Sequence, residues 1–391
     1  MMKNENEKLN VILLGYNYYG RMAVSQRMYN LFSPLVGTGR ITLRNIVNFQ
    51  DKSLITDNKA NVAYPKSKNR VLNYLSYVLL SIKMVREWYV EDTINVIYTG
   101  YPSLDRYLIL RCAHKMGYKI VFDIMEDLNV YTSKNASMLN RLNTWTARKF
   151  ATHIGEIGDM CFGISDTLVK LCKKWTKEQI PVNLLPVSVD VKNVCSYKKE
   201  TNENNEIAVF YGGSFGQKDG ISYLIDGFTK AWQQDKRLRL YLTGKIAKES
   251  AGELELFIMQ SEAKEAITYL GCLPTEAYYE RMANSDILCM LRVNSVFANS
   301  GFPFKLGEYL ASGKAVIATR TSDIEKYLMH KQNAYLIHPE DSTLIAEAIL
   351  ALASDDTLRR KIGIAGQEIA RKNFDAPKVS EYLYNKIIDV C

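Results

Sequence analysis

Cysteine, histidine and paired acidic motifs are sparse in this chain of 391 residues, and each shortage argues against a class of site. The seven cysteines are an odd number without a C-x-x-C pair, which favours reduced thiols in a cytoplasm over a disulfide framework. The four histidines lack metal-ligand spacing, so structural zinc is not expected. No D-x-D motif occurs, and we therefore expect no metal held by such paired carboxylates.

Long apolar runs are missing as well. The N-terminal stretch "MMKNENEKLNVILLGY" has only a short apolar run behind two glutamates, which is not typical of a secretory signal. No run reaches the roughly 18 apolar residues that a membrane-spanning helix needs. We therefore expect a soluble protein, or one that sits on a surface.

The net excess of positive charge lies in one half of the chain. Residues 1–195 carry a net charge of +10 and residues 196–391 a net charge of −2. A basic half fits an anionic acceptor or a membrane face, and ordinary lysine-rich solubility is the alternative. We expect no nucleic acid among the partners.

Short apolar runs alternate with helical patterns through both halves. Many runs are apolar on both faces, which is typical of parallel strands covered by helices on both sides. The predicted strands are 10–16, 41–49, 94–100, 118–124 and 159–165, then 207–213, 239–245, 267–271, 286–291, 315–319 and 333–339.

The pattern predicts two doubly wound α/β domains in tandem, with a cleft at the carboxyl ends of both sheets. A polar stretch at 197–206 follows the end of the first set of strands. The expected domains are 1–185 and 186–376, with a last helix at 377–391 that crosses back to the first domain.

The segment 299–319 carries the strongest local signal. Its loop Ser300-Gly301-Phe302-Pro303 leads into a helix that begins near Phe304 and places Lys305 and Glu308 one turn apart. Free helix amides and the lysine suit a diphosphate, and the glutamate suits the 2′,3′-diol of a ribose. An exposed salt bridge between Lys305 and Glu308 is the alternative.

A second glycine-rich loop, "FYGGSFGQKDGISYL" at 210–224, joins a strand to a helix and contains Lys218. Its glycines allow close backbone approach to a phosphate, but the spacing does not fit a dinucleotide fingerprint. A plain strand-turn-helix connection is an equal reading of this loop.

The second half closely resembles the donor domain of the retaining glycosyltransferases of family 4, also called group 1. The resemblance extends from about residue 207 to 349 and is most specific in F-P-x-K-x-x-E-Y-L-A-x-G-K-x-V-I-A-T. It implies the GT-B fold, in which two Rossmann-like domains face each other across a cleft.

The resemblance also implies roles for single residues. Phe304, Lys305 and Glu308 hold the phosphate and ribose of the donor, and the loop residues 300–303 lie beside them. The other donor residues that it implies are Gly213, Ser214, Lys218, Lys245 and the backbone around Leu273. The family often has a glutamate where this chain has Ser300, which is a departure.

The first half matches the family only in its strand pattern and in a glycine-rich loop, "GYNYYGRM" at 15–22. Gly15, Gly20 and Arg21 belong to this loop, and the resemblance makes this half the acceptor side. The strand at 118–124 is expected to place Asp123, Glu126 and Asp127 towards the cleft. Asp127 is the preferred catalytic residue and Glu126 the second choice, with capping of the next helix as an equal alternative for Asp127.

Residues 66–86 have an apolar stripe with basic residues at both ends. Such a helix fits an anionic lipid surface, but a helix that covers the first sheet has the same stripe, and we favour the covering helix.

The resulting prediction is a retaining hexosyltransferase with Lys218, Lys305, Glu308 and Asp127 as catalytic residues. The donor is a nucleotide-diphosphate sugar, no cofactor or metal is expected, and the acceptor is a saccharide or lipid-linked saccharide of a bacterial surface polysaccharide. The enzyme would be cytoplasmic or peripheral at the inner face of the membrane. A nucleotide-sugar 2-epimerase and a non-catalytic sugar-nucleotide-binding protein are the alternatives.

Overall fold

A computed structural model describes residues 7–16, 18, 23–47, 61–62, 69–129, 138–198, 205–216, 218–246 and 251–391. The chain divides into two compact units, residues 1–186 with 376–391 and residues 187–375. No helix within these described ranges is long and apolar enough to cross a membrane.

The first unit alternates strands and helices. Its elements are β1 (Leu9–Leu14), α1 (Ala23–Gly37), β2 (Ile41–Ile46), β3 (Asn61–Val62), α2 (Arg70–Glu87), β4 (Ile94–Thr99), α3 (Leu104–Lys115), β5 (Lys119–Ile124), α4 (Met138–Ala151), α5 (Ile154–Ile157), β6 (Met160–Gly163), α6 (Asp166–Thr176) and β7 (Val182–Leu184).

The second unit repeats this alternation. Its elements are α7 (Val191–Ser196), β8 (Ile207–Gly212), α8 (Ile221–Gln234), β9 (Leu238–Thr243), α9 (Ala251–Gln260), β10 (Ile267–Tyr269), α10 (Thr275–Ala283), β11 (Ile287–Met290), α11 (Val296–Ser300), α12 (Phe304–Ala311), β12 (Ala315–Thr319), α13 (Ile324–Tyr327), β13 (Tyr335–Ile337), α14 (Ser342–Ser354) and α15 (Asp356–Asn373). A 3-10 turn (Lys264–Ala266) precedes β10. The last helix of the chain, α16 (Ala376–Ile388), belongs to the first unit.

Each unit is built on one parallel sheet. The first has the strand order β3-β2-β1-β4-β5-β6-β7 and the second the order β10-β9-β8-β11-β12-β13. β1, β8 and β12 are buried at every position, because helices cover both faces of the parallel sheet. This agrees with the doubly wound α/β architecture that the sequence predicts.

The core of the first unit joins the two ends of the chain. Leu31 and Phe32 of α1 and Leu383 of α16 lie in one buried cluster with the side chains of β1 and β4. The Tyr384 hydroxyl donates to the Glu7 carbonyl oxygen at 2.6 Å. The final helix is therefore part of the first unit's core.

Helix α2 is buried on one side and presents apolar side chains to solvent on the other. Tyr77, Val78 and Val85 are buried, as a covering helix requires, whereas Val71 and Leu79 are exposed. The basic residues at 66 and 68 of the predicted helix lie outside the described residues, and α2 begins at Arg70.

Candidate functional site

The strand order of the second sheet reverses between β8 and β11, where open α/β sheets have a crevice for ligands. The loops that follow these strands are joined there. Gly220 donates its amide to the Leu291 carbonyl oxygen at 3.2 Å, and Val293 donates to the Lys218 carbonyl oxygen at 3.1 Å. An isolated antiparallel bridge connects Asp219 with Arg292. Residues of both loops therefore meet at the carboxyl edge of the sheet.

The Lys305 side chain reaches this edge from the first turn of α12. Its Nζ donates to the Tyr211 hydroxyl at 2.9 Å and to Asp219 Oδ1 at 3.2 Å, and it lies 4.1 Å from the centre of the Tyr211 ring. Burial lowers the pKa of Lys305, Asp219 raises it, and Arg292 and Lys218 lower it further, so the pKa ends below its ordinary value. The ammonium is thus a largely desolvated cation beside two other cations.

Gly213 leaves the space that this ammonium occupies. A Cβ atom on residue 213 would lie 2.5 Å from Lys305 Nζ and 2.6 Å from the Tyr211 hydroxyl. Two residues later Phe215 adopts the left-handed conformation with φ of 52°, although it is not a glycine. Such backbone strain is common in ligand-binding loops.

Asp219 ties the loop together and was not predicted from the sequence. Its Oδ2 accepts from the Ser214 hydroxyl at 3.2 Å and from the Gly216 amide at 3.1 Å. Burial alone would raise the pKa of Asp219, but Lys305, the Tyr211 hydroxyl and the Gly216 amide lower it below its ordinary value. Asp219 therefore remains ionised and holds Lys305 in place.

Arg292 is a second residue that the sequence did not reveal. Its side chain is buried directly after β11 and donates to the Ala298 carbonyl oxygen at 2.8 Å and to the Gly301 carbonyl oxygen at 3.3 Å. It fixes the loop that precedes α12, and its positive charge lowers the pKa of both Lys305 and Asp219.

Glu308 lies on α12 next to two tyrosines of α10. The Tyr279 hydroxyl donates to Oε1 at 3.1 Å and the Tyr278 hydroxyl to Oε2 at 3.4 Å. Burial raises the pKa of Glu308 to about 7, although both hydroxyls and Lys305 act to lower it. Each oxygen keeps lone pairs that a sugar diol can reach.

The alternative of a surface salt bridge between Lys305 and Glu308 is wrong. Within the described residues Lys305 forms its ion pair with Asp219, and no ion pair joins it to Glu308. The helix therefore presents a cation and a carboxylate that have separate partners.

The loop before α12 is buried and well supported. Ser300 Oγ donates to the Phe297 carbonyl oxygen at 3.1 Å, and the Gly301 carbonyl oxygen accepts from the Ser322 hydroxyl at 2.6 Å. The Phe302 ring contacts Tyr327 and Phe374. Pro303, the N-cap of α12, offers no side-chain hydrogen bond to the amides of the first turn, where Phe304 begins the helix. Those amides resemble a site for an anion.

The remaining predicted donor residues lie on loops of the same unit. Lys218 Nζ is 4.4 Å from the centre of the Phe297 ring, and its charge contributes to the lowered pKa of Lys305. Lys245 follows β9 and is exposed. The Leu273 amide donates weakly to Thr243 Oγ1 at 3.4 Å. The charge of Lys218 therefore acts on Lys305, whereas Lys245 and Leu273 follow the neighbouring strands.

The predicted acceptor residues of the first unit are more scattered. Gly15 follows β1 with φ of +80°, and Gly20 and Arg21 lie outside the described residues. Asp127 Oδ1 accepts from the Asn129 amide at 2.8 Å, and the Glu126 carbonyl oxygen accepts from the Tyr101 hydroxyl at 2.5 Å. Asp127 thus stabilises a turn.

The expectation that Asp123 faces a cleft is wrong. Asp123 is fully buried in β5 and forms a bidentate ion pair with Arg27 of α1, at 2.9 and 3.1 Å. Arg27 also donates to the carbonyl oxygens of Leu185 and Pro186. A buried pair satisfied in this way serves the core of the first unit.

A Gly213→Ala variant tests whether the space beside Lys305 matters. The added Cβ forces both the Lys305 ammonium and the buried Tyr211 hydroxyl to move, so we expect kcat/KM to fall about tenfold and the melting temperature to fall as well. Gly216→Ala is the matched control, because a Cβ there meets its nearest atom, Ser214 Oγ, at an ordinary 3.5 Å. Equal activity of the two variants would contradict the prediction.

No group of three or more His, Cys, Asp or Glu side chains within the described ranges is arranged to hold a metal ion.

Known proteins are similar in sequence to the second half of this chain. Residues 196–369 match the family model described as glycosyl transferases group 1. The phosphatidyl-myo-inositol mannosyltransferase of Mycobacterium leprae is 22% identical over 52% of this chain and 53% of its own length. The N-acetyl-alpha-D-glucosaminyl L-malate synthase of Bacillus anthracis is 30% identical over 58% of this chain and 59% of its own. The chain thus spans about half the length of these two curated relatives.

Solved structures share the fold over almost the whole chain. Anabaena HepE in complex with UDP has a TM-score of 0.71 at 14% identity, covering 97% of this chain and 99% of its own. Sucrose-phosphate synthase from Thermosynechococcus elongatus has a TM-score of 0.72 at 14% identity, covering 98% and 100%. Residues 196–369 are therefore similar to glycosyl transferases group 1, and the chain has the two-domain α/β fold called GT-B.

Proposed function

We propose that the protein transfers a hexosyl group from a nucleotide-diphosphate sugar to a hydroxyl acceptor, with retention at the anomeric carbon. The observation that carries the proposal is the separate support of Lys305 and Glu308 on one helix, at the carboxyl edge of the second sheet. Solved relatives of the same fold include HepE in complex with UDP-glucose, which supports a donor of this class.

Lys305 binds the diphosphate together with the first-turn amides of α12. In the structure the Asp219 carboxylate partly neutralises the Lys305 ammonium. A phosphate oxygen of the donor can accept a hydrogen bond from the same ammonium and would compete with Asp219 for it. The cationic side chains of Lys305, Arg292 and Lys218 then stabilise the charge that develops on the diphosphate as the glycosidic bond breaks.

Glu308 binds the ribose diol of the donor through its two carboxylate oxygens. The tyrosine hydroxyls orient the carboxylate but leave it acceptor capacity for two further hydrogen bonds. The sugar hydroxyls would meet Ser300 and the buried loop around Gly301, where the family often has a carboxylate.

The anomeric configuration is retained because the acceptor hydroxyl attacks C1 from the same face that the phosphate leaves. The bond from C1 to the phosphate oxygen breaks, the acceptor oxygen bonds to C1 on the same face, and the departing phosphate oxygen takes the acceptor proton. This route needs no separate protein base, and residues such as Asp127 and Glu126 would orient the acceptor rather than deprotonate it.

The acceptor side is assigned to the first unit, with Gly15, Gly20, Arg21, Glu126 and Asp127. A surface polysaccharide intermediate, free or lipid-linked, is the proposed acceptor class. The phosphatidyl-myo-inositol mannosyltransferase relative supports acceptors with a lipid part. All seven cysteines are free thiols, which supports a cytoplasmic location.

Product analysis with a panel of UDP-, GDP- and ADP-sugars tests the reaction. We expect one donor to release its nucleoside diphosphate only when an acceptor is present, and the NMR coupling of the new anomeric centre to match that of the donor. Inversion of the coupling would exclude retention. Conversion of the donor to a 2-epimer would mean that the protein is a nucleotide-sugar 2-epimerase. Donor binding without turnover would mean that it is a non-catalytic sugar-nucleotide-binding protein.

Chelation tests the absence of a metal requirement. Because lysines and helix amides provide the positive charge at the proposed diphosphate site, we expect EDTA to leave at least about half of the turnover intact. The measurement is donor turnover with excess EDTA and after addition of Mg²⁺ or Mn²⁺. Activity that EDTA abolishes and manganese restores would contradict metal independence.

A further inference from the structure

Three neighbouring helices of the first unit share an unusual outer surface. α2 packs against α3, and α3 packs against α4. Each helix precedes a strand of the parallel sheet or leads to one through a short connection, so all three have their N-terminal ends towards the carboxyl edge of the sheet. The exposed faces of the three helices, their outer stripes, therefore run in the same direction.

The N-terminal halves of these stripes are apolar and exposed. On α2, Val71, Leu75 and Leu79 are spaced four residues apart and are 66%, 48% and 67% exposed. On α3 the equivalent positions are Leu104 and Leu108. We call the exposed apolar residues of α2, α3 and α4 the apolar band.

The apolar band continues on α4. Leu142 is 51% exposed and Trp145 is 57% exposed, three residues further along the same face. Exposed aliphatic side chains beside an exposed tryptophan are typical of surfaces that meet a lipid interface or a protein partner.

The C-terminal halves of the stripes are basic. Lys83 and Arg86 continue the α2 stripe, Arg111 and Lys115 the α3 stripe, and Lys149 the α4 stripe, all of them exposed. We call these five residues the basic band. Lys149 Nζ lies 5.3 Å from the centre of the Trp145 ring, where the two bands meet.

The charge of the three helices identifies the kind of partner. Together they contain nine lysines and arginines and only two acidic residues, Glu87 and Asp105. A symmetric dimer through this surface would bring two such positive surfaces together, which disfavours a second copy of the chain. An anionic partner with an apolar interior matches both bands.

We propose that this surface docks on an anionic phospholipid bilayer, with the apolar band at the boundary of headgroups and acyl chains and the basic band on the lipid phosphates. Docking of this kind is independent of the donor chemistry in the second unit. It would keep the first unit, the proposed acceptor side, at the membrane surface.

Co-sedimentation with vesicles measures this docking. We expect the wild type to bind vesicles with 30% phosphatidylglycerol at low salt, to bind phosphatidylcholine vesicles at least tenfold more weakly, and to be released as salt rises. The triple variant Lys83→Glu, Arg111→Glu, Lys149→Glu should lose binding about fivefold or more per charge. The double variant Leu79→Glu, Leu108→Glu should lose it as well.

The matched control lies on α15 of the second unit. Ile364 is 65% exposed and Lys361 is exposed three residues earlier, so Ile364→Glu and Lys361→Glu change the same chemistry elsewhere. We expect these controls to bind vesicles like the wild type. Equal losses in the control and band variants would overturn the proposal.

Quenching of Trp145 by brominated lipid tests the unmodified protein. Brominated acyl chains in anionic vesicles should quench part of the fluorescence of the four tryptophans, and Trp145→Phe should remove that quenched part. Absence of quenching, equal binding to neutral vesicles, or a monomer–dimer equilibrium that Leu79→Glu abolishes without any vesicle binding would each overturn membrane docking.

Discussion

Replacement of Lys305 by methionine is expected to lower kcat about 100- to 1,000-fold, whereas donor KM rises by less than about tenfold. Methionine keeps much of the side-chain volume next to Gly213 but removes the ammonium that contacts Tyr211 and Asp219. The charge that Lys305 meets on the diphosphate increases as the glycosidic bond breaks, so its loss weakens the transition state more than the bound donor. Steady-state kinetics with a fixed acceptor concentration give both constants.

Asp219→Asn separates this role from that of a structural ion pair. Asp219 raises the pKa of Lys305 against the effect of burial, so the asparagine variant should lose the lysine proton at lower pH. We therefore expect near-normal kcat at pH 7 and an alkaline limb of the kcat profile that moves to lower pH. If both variants lose activity equally and in parallel with melting temperature, the pair only stabilises the loop.

Much of the fold follows from local patterns in the sequence. Strands such as β1, β8 and β12 are apolar at nearly every position, and this pattern predicts burial between two helical layers. β7 was not predicted, because its three residues are only half-buried and carry a weak pattern. β3 has just two residues, too few for any periodicity.

The candidate site was predicted where its residues lie in a recognisable local motif. Lys305 and Glu308 share one helix turn, and Gly213 lies in a recognisable loop. Asp219 is 86 residues away from Lys305, and Tyr279 is 29 residues from Glu308, so no local pattern connects these partners. The same limit explains Asp123, whose partner Arg27 is 96 residues away.

Glu308→Gln is expected to raise donor KM about tenfold to a hundredfold and to change kcat much less. The amide keeps the shape of the side chain and an oxygen for Tyr279. It loses the charge that makes each hydrogen bond from the ribose diol worth about 1.5–3 kcal/mol, against about 0.5–1.5 kcal/mol for a neutral acceptor. Because the pKa of Glu308 is about 7, the wild type should also lose donor affinity as the pH falls below 7, and the glutamine variant should not.

Glu308→Gln should weaken donor binding but raise the free energy of unfolding, and the gain in stability should appear only at high pH. A carboxyl group whose pKa rises from 4.5 to about 7 on folding contributes its stability below pH 4.5 and loses it as the pH rises through 7. Ionised Glu308 therefore costs about 3 kcal/mol at pH 8.5, at about 1.4 kcal/mol per pKa unit. Thermal unfolding should show that Glu308→Gln is more stable than the wild type at pH 8.5 and nearly equal to it at pH 5.

Tyr279→Phe is the matched control, because it removes a hydrogen bond that lowers the pKa of Glu308 and should move the midpoint of the affinity profile to higher pH. A glutamine variant that is less stable at both pH values and binds donor normally would mean that Glu308 only supports the packing of α10 on α12, because a carboxylate kept for binding costs stability where it is ionised.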